Sequence, residues 1–236
     1  MLFSRIVTAA LFGGSIAGFI GGLLQLIFLQ PVLLHAELYE SGDLVHFGAE
    51  AVSAFQDTGG FDPVRDSLSV GFSMLFYIGY GLILAAVMGL AIQRNHTPDL
   101  PRAVIWGLAG YAVFHLAPAF SLPPEVPGVA AADVTARQIW WFGTAAATGI
   151  GLWLLAFERR LVLMLVAVVL IIAPHVIGAP HPDTFAGTVP PEIAGMFAAR
   201  ALGLGLFVWV LLGVLIMRFM QTEGVSEMLT SEQPQK

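Results

Sequence analysis

The 236-residue chain contains no cysteine. Disulfides, iron–sulfur clusters and thiolate zinc sites are thereby excluded. Any metal chemistry must draw on histidine, carboxylate, methionine or backbone oxygen, ligands that suit borderline or hard divalent ions. Charge is equally scarce, at 11% of residues against roughly 25% in soluble domains. A chain that is 57% hydrophobic and so poor in charge cannot clothe a soluble surface, so it reads as an integral membrane protein. Also missing are a glycine-rich phosphate loop ending in Lys-Ser/Thr, a His-Glu-x-x-His motif and a Gly-x-Ser-x-Gly nucleophile elbow. The chain is therefore not read as an enzyme, no resident cofactor is expected, and nothing points to nucleic acid. The loops on the basic side are too short to house an ATPase.

What is present is a series of six apolar stretches: Ile6 to Leu29, Gly71 to Ile92, Ala103 to Pro118, Gln138 to Phe157, Leu161 to Ile177 and Gly195 to Met217. A bilayer core is crossed by roughly 20 apolar residues, and in lipid each span must satisfy its own backbone as an α-helix. The expected fold is all-α and polytopic, with six transmembrane helices in three hairpins over residues 1–217. Residues 218–236 form a polar tail expected to be disordered and cytoplasmic. The first stretch follows Arg5 but, at 24 residues, exceeds the apolar region of a secretory signal and precedes no clean cleavage site, so it is read as a retained helix.

Six spans place Arg5, Arg94, Arg102, Arg159, Arg160, Arg218 and Lys236 on one side, seven of the ten basic residues. The positive-inside rule then puts both termini in the cytoplasm. The opposite side holds eleven of the sixteen carboxylates and five of the six histidines, His35, His46, His115, His175 and His181; only His96 falls inside. Sorting of basic residues alone leaves outer loops acidic, but it does not select for a residue that is neutral at pH 7.

The outer bends repeat. In "VFHLAPAFSLPPEVPG", residues 113–128, and in "IAPHVIGAPHPDTFAGTVPPEIAG", residues 172–195, an apolar helix closes on a Pro and a His. Pro-Pro-Glu-x-x-Gly follows, then Ala-Arg at the start of the next helix. The second and third hairpins are thus read as parallel repeats, and paired proline-interrupted segments of this kind point to a transporter's binding site. Proline near a helix end leaves carbonyls without donors, which is tolerated at membrane depth only in protein or along a wet cavity. The alternative is that Pro-Pro-Glu is a rigid turn and Glu125 and Glu192 are exposed helix starts. Arg137 and Arg200 are costly in an apolar setting unless paired. Glu125, Asp133 and Glu192 are the expected partners, with snorkelling to headgroups the alternative. The first hairpin, "LQPVLLHAELYE", is a weaker relative carrying His35 and Glu37, and "VHFGAEAV" puts His46 and Glu50 one helical turn apart. Small-residue stripes at Gly14, Gly18 and Gly22, at Gly143, Ala147 and Gly151, and at Gly195, Ala199 and Gly203 suit close helix packing or docking of a partner helix. Trp106, Trp140, Trp141 and Trp153 read as interfacial anchors.

The segments "LLQLIFLQPVLLHAELYE", "WGLAGYAVFHLAPAFSLPPEVPGVAAADVTARQIWWFGTAAATGIGLWLLAF" and "APHPDTFAGTVPPEIAGMFAARALG" together resemble the CbtA family of predicted cobalt transporter subunits, from Met1 to about Met217. The resemblance implies a bacterial inner-membrane protein of cobalt uptake, working beside a small single-span CbtB-like subunit with a histidine motif. Relatives carry a histidine-rich tract after the first helix, and "SGDLVHFGAEAVSAFQDTGGFDPVRD" offers only His46. The hairpin bends match the family better than this loop does. Taken together, the expected metal-handling residues are His35, Glu37, His115, Glu125, His175, His181 and Glu192, with Arg137 and Arg200 in structural ion pairs. Co2+, or Ni2+, is the expected cargo. The lipid bilayer is the surrounding partner, a homo-oligomer stays open, and a non-transporting scaffold or metal-binding partner subunit is the alternative function, with a membrane enzyme using His115 or His175 as general base ranked behind it.

Overall fold

The computed structural model describes residues 2–46, 60–94 and 100–231. Glu50 of the proposed His46 pair and His96 lie outside the described residues. The described residues form helices and one isolated backbone bridge. The elements are α1 (Leu2–Phe28), α2 (Gln30–Glu40), α3 (Pro63–Gln93), α4 (Leu100–Tyr111), a π-helical turn (Ala112–Leu116), α5 (Ala117–Ser121), α6 (Val134–Phe157), α7 (Leu161–Ile177) and α8 (Pro191–Ser231).

Among the described residues, five helical segments are long and apolar enough to cross a membrane: Phe3–Phe28, Pro63–Gln93, Pro101–Ser121, Val134–Phe157 and Pro191–Gln221. The apolar helix Leu161–Ile177 has 17 residues, about 25 Å of helix, where the hydrocarbon core measures about 30 Å. Most helices outrun their apolar stretches at one end or both, because polar caps extend them. Asp62 accepts from the N–H groups of Val64 and Arg65 at the start of α3. Asp66 Oδ2 in turn accepts from Asp62 N at 3.0 Å, and its Oδ1 holds Arg65 Nε at 2.8 Å. Asp133 caps α6 by accepting from Ala136 N at 2.9 Å. At the other end of the chain α8 continues through Ser231, into the segment expected to be a disordered tail; no proline interrupts it between Pro191 and Pro234.

The chain divides into two compact units, one of Met1–Leu26, Phe61–Gly110 and Leu204–Lys236, the other of Ile27–Gly60 and Tyr111–Gly203. In the first, the glycine stripe of α1 works as expected. A Cβ at Gly14 would stand 2.5 Å from Ile78 Cα, and one at Gly18 would stand 2.5 Å from Met74 Cα. Only hydrogen at these positions lets α1 and α3 pack backbone to backbone. Trp209 is fully buried there, its ring 5.0 Å from that of Tyr80.

In the second unit α6 and α7 pack side by side, with the π-turn and α5 against α6. Its other core is small: Val32, Ala36 and Tyr39 of α2 bury themselves with Val126, Val189 and Ile193. Val126 and Ile193 are the residues directly after the two Pro-Pro-Glu triplets. The loop after Val126 and the loop before α8 are stitched by an antiparallel bridge between Val129 and Gly187. Thr188 N donates to Gly128 O at 3.0 Å, and Ala130 N donates to Ala186 O at 2.8 Å.

Candidate functional site

All nine expected residues fall within the second unit. His35 sits on α2 with its ring 5.5 Å from that of Tyr39, and its Nε2 is buried without a hydrogen-bond partner. Glu37, on the same helix, is exposed. His115 occupies the π-turn, its ring stacked on Tyr111 at 5.9 Å and 23°. The turn precedes Pro118, which has no N–H to offer and would clash with a carbonyl four residues back in a regular helix. Ala117 N accordingly bonds Ala112 O, five residues back.

His175 lies in the last turn of α7, one residue after Pro174. Its Nδ1 is 3.0 Å from Ser121 Oγ, the last residue of α5. The rings of Phe120 and Trp140 stand T-shaped to it, with centroids at 5.1 and 6.1 Å. Trp140 Nε1 donates to Pro174 O at 3.3 Å. That tryptophan, expected as a headgroup anchor, therefore fastens α6 to the end of α7. His175 is thus held from α5, α6 and its own helix. Ser121 is 54 residues from His175 in the chain, and no spacing rule could have joined them.

His181 is exposed in the loop after α7, with Nδ1 3.1 Å from Pro182 O and its ring 6.5 Å from Phe185. Glu192 stands exposed in the first turn of α8. Glu125 is engaged: its Oε2 meets Arg137 Nη2 at 2.7 Å. The expected ion pair of Arg137 is present, and it ties the first Pro-Pro-Glu bend to α6.

Arg200 behaves differently. Its Nη1 donates to Phe28 O at 2.9 Å, in place of the expected carboxylate. Glu192 lies eight residues earlier on α8, about 12 Å along the axis, and Asp133 is spent on its helix cap. The Phe28 carbonyl is available because Pro31 follows in α2, where Val32 N and Leu33 N both donate to Leu29 O at 3.0 Å. The arginine satisfies a carbonyl that the break between α1 and α2 sets free.

The two Pro-Pro-Glu segments also differ in backbone. Pro191 opens α8, whereas residues 123–126 are without regular structure and end at Gly128 with φ of +79°. Among the described residues no group of three or more His, Asp or Glu side chains is arranged to hold a metal ion.

A family model described as probable cobalt transporter subunit (CbtA) matches residues 3–221. The chain belongs to the CbtA family. No curated protein and no solved structure matches it. The family's description supports a probable cobalt transporter subunit, and the apolar helices of this CbtA chain agree with a membrane location.

Proposed function

We propose that this chain is the membrane subunit that takes up a divalent transition-metal cation, cobalt first and nickel as its nearest competitor. The family match carries the substrate class. The observation that carries the site is the clamped ring of His175. In the metal-competent tautomer Nδ1–H donates to Ser121 Oγ, which leaves the Nε2 lone pair for the ion. His35 supports a second contact through its buried, unpartnered Nε2.

Six spans in three hairpins, with α7 as the shortest, would place both termini in the cytoplasm of a bacterium and these bends on the periplasmic side of its inner membrane. The acidic outer face raises the local cation concentration. Exposed Glu37, His181 and Glu192 meet the ion first, and His35 and His175 strip part of its water. His115, six residues inside Ser121 and so about 9 Å further along the helix, receives it next, on a path between the two Pro-Pro-Glu hairpins. Glu125 joins when the cation displaces Arg137. Ligands spread over α2, the π-turn, α7 and the loops suit conduction, which needs several weak stations rather than one tight cage.

A second reading has its own observation. Gly195 and Gly203 are exposed, with nothing within 4 Å of an added Cβ, so the stripe on α8 leaves room for a partner helix, whether a small CbtB-like subunit or a second copy. A scaffold built on that face would leave metal content unchanged. The test is the double substitution His115→Ala with His175→Ala in cells supplied with cobalt. Uptake requires accumulation to fall to background at unchanged protein level in the membrane; wild-type accumulation in the double variant would refute the site.

A further inference from the structure

Thr144 and Thr148 are the two buried polar side chains of α6, at 0% and 3% exposure. They lie one turn apart on the same face of the helix. A threonine in an apolar helix has a ready partner in the carbonyl four residues back. Thr144 uses it, donating to Trp140 O at 2.8 Å. Thr148 does not: its Oγ1 is buried with no hydrogen-bond partner. A buried hydroxyl left without a partner is costly.

Two walls pack on α6 here, α7, where a Cβ on Gly151 would stand 2.9 Å from Ala167 O, and the π-turn. Phe114 and Trp141 rings lie 6.1 Å apart, and a Cβ on Gly149, the residue after Thr148, would stand 3.8 Å from both methyls of Val113. In a regular helix the Val113 carbonyl would accept from Ala117 N, but that N–H goes to Ala112 O. Pro118 follows and has no N–H to take its place. The Val113 carbonyl thus loses its helical donor in the stretch that packs on α6 beside Thr148. π-Turns of this kind recur at functional sites, and backbone irregular at membrane depth belongs where it faces protein or a wet path.

We propose that the Thr148 hydroxyl and the π-turn form an oxygen-lined station for a hydrated divalent cation inside the second unit, beyond the histidines of the outer bends. The inference rests on the uptake reading and adds to it a residue outside the His and carboxylate set. Thr148 Oγ1 and a backbone carbonyl are hard oxygen ligands, suited to the water shell of a divalent ion rather than to its removal.

Thr148→Val keeps the side-chain shape and deletes the hydroxyl; Thr148→Ser keeps the hydroxyl. Cobalt content is measured in cells expressing wild type, each variant or an empty vector, at matched membrane protein level. Melting of purified protein in detergent is followed alongside. The proposal requires wild type above the vector, Thr148→Val lower by roughly tenfold, as loss of one hydrogen bond to a charged species implies, and Thr148→Ser near wild type. It also requires Thr148→Val to melt no lower than wild type, because an unpartnered hydroxyl is being removed. Unchanged accumulation in Thr148→Val, or a lower melting temperature, overturns the station while leaving the uptake reading intact. Wild type at vector level overturns the uptake reading, and the station with it.

Discussion

A histidine ring offers one nitrogen to a metal, and the hydrogen bond at the other nitrogen decides which. On the proposed reading Ser121, 3.0 Å from His175 Nδ1, makes that choice, with the Trp140 and Phe120 rings packed against the imidazole. Ser121→Ala is expected to raise the cobalt concentration for half-maximal accumulation by roughly tenfold, with little change in the maximum. A dose curve in cells checks it; a change in the maximum alone would assign Ser121 to folding. The residue types of the candidate site stand out in the chain because histidine and arginine are rare in apolar runs. Their partners stand out less. Arg137 finds Glu125 as charge complementarity suggests, but Arg200 finds a backbone carbonyl, and carbonyls carry no mark in a sequence.

Elements show the same division. α7 has the bounds its apolar run implies, Leu161–Ile177, because Arg160 and Gly178 punctuate both ends. The two Pro-Pro-Glu bends read as copies, yet one is extended and the other begins a helix. A single difference accounts for it. Two residues past the glutamate, the first bend has Pro127 where the second has Ala194; proline breaks the turn there, while alanine lets α8 run on from Pro191. What survives of the repeat is the burial of Val126 and Ile193 in one cluster. The α1 stripe was legible as packing, and its partner helix was not. Gly18→Leu is expected to destabilise the protein by about 1–3 kcal/mol, since its side chain would meet Met74 backbone. Thermal melting in detergent reads this, and an unshifted transition would mean that α1 and α3 are not in close contact.

For the molecule as a whole, composition settles the class: too little charge for a soluble surface and helices that suit a bilayer. The gathering of every candidate residue into the unit of Ile27–Gly60 and Tyr111–Gly203 could not be read from one dimension, because it depends on which bends meet. Histidine binds a metal only when neutral, so accumulation is expected to fall as the external medium is acidified. Protonation removes the lone pair, so the loss lies on the acid side and reverses on return to pH 7. A response that stays flat throughout the acid range tolerated by the cells would remove imidazole from the path.

The most direct measurement is the cobalt content of cells expressing this chain, alone and with a candidate small partner, against cells carrying an empty vector. A transporter subunit raises cobalt content in at least one of the two expressing strains, and adding nickel in excess lowers it. Cobalt content equal to that of the vector strain in both, with the chain present in the membrane, would contradict uptake and leave the scaffold reading in its place.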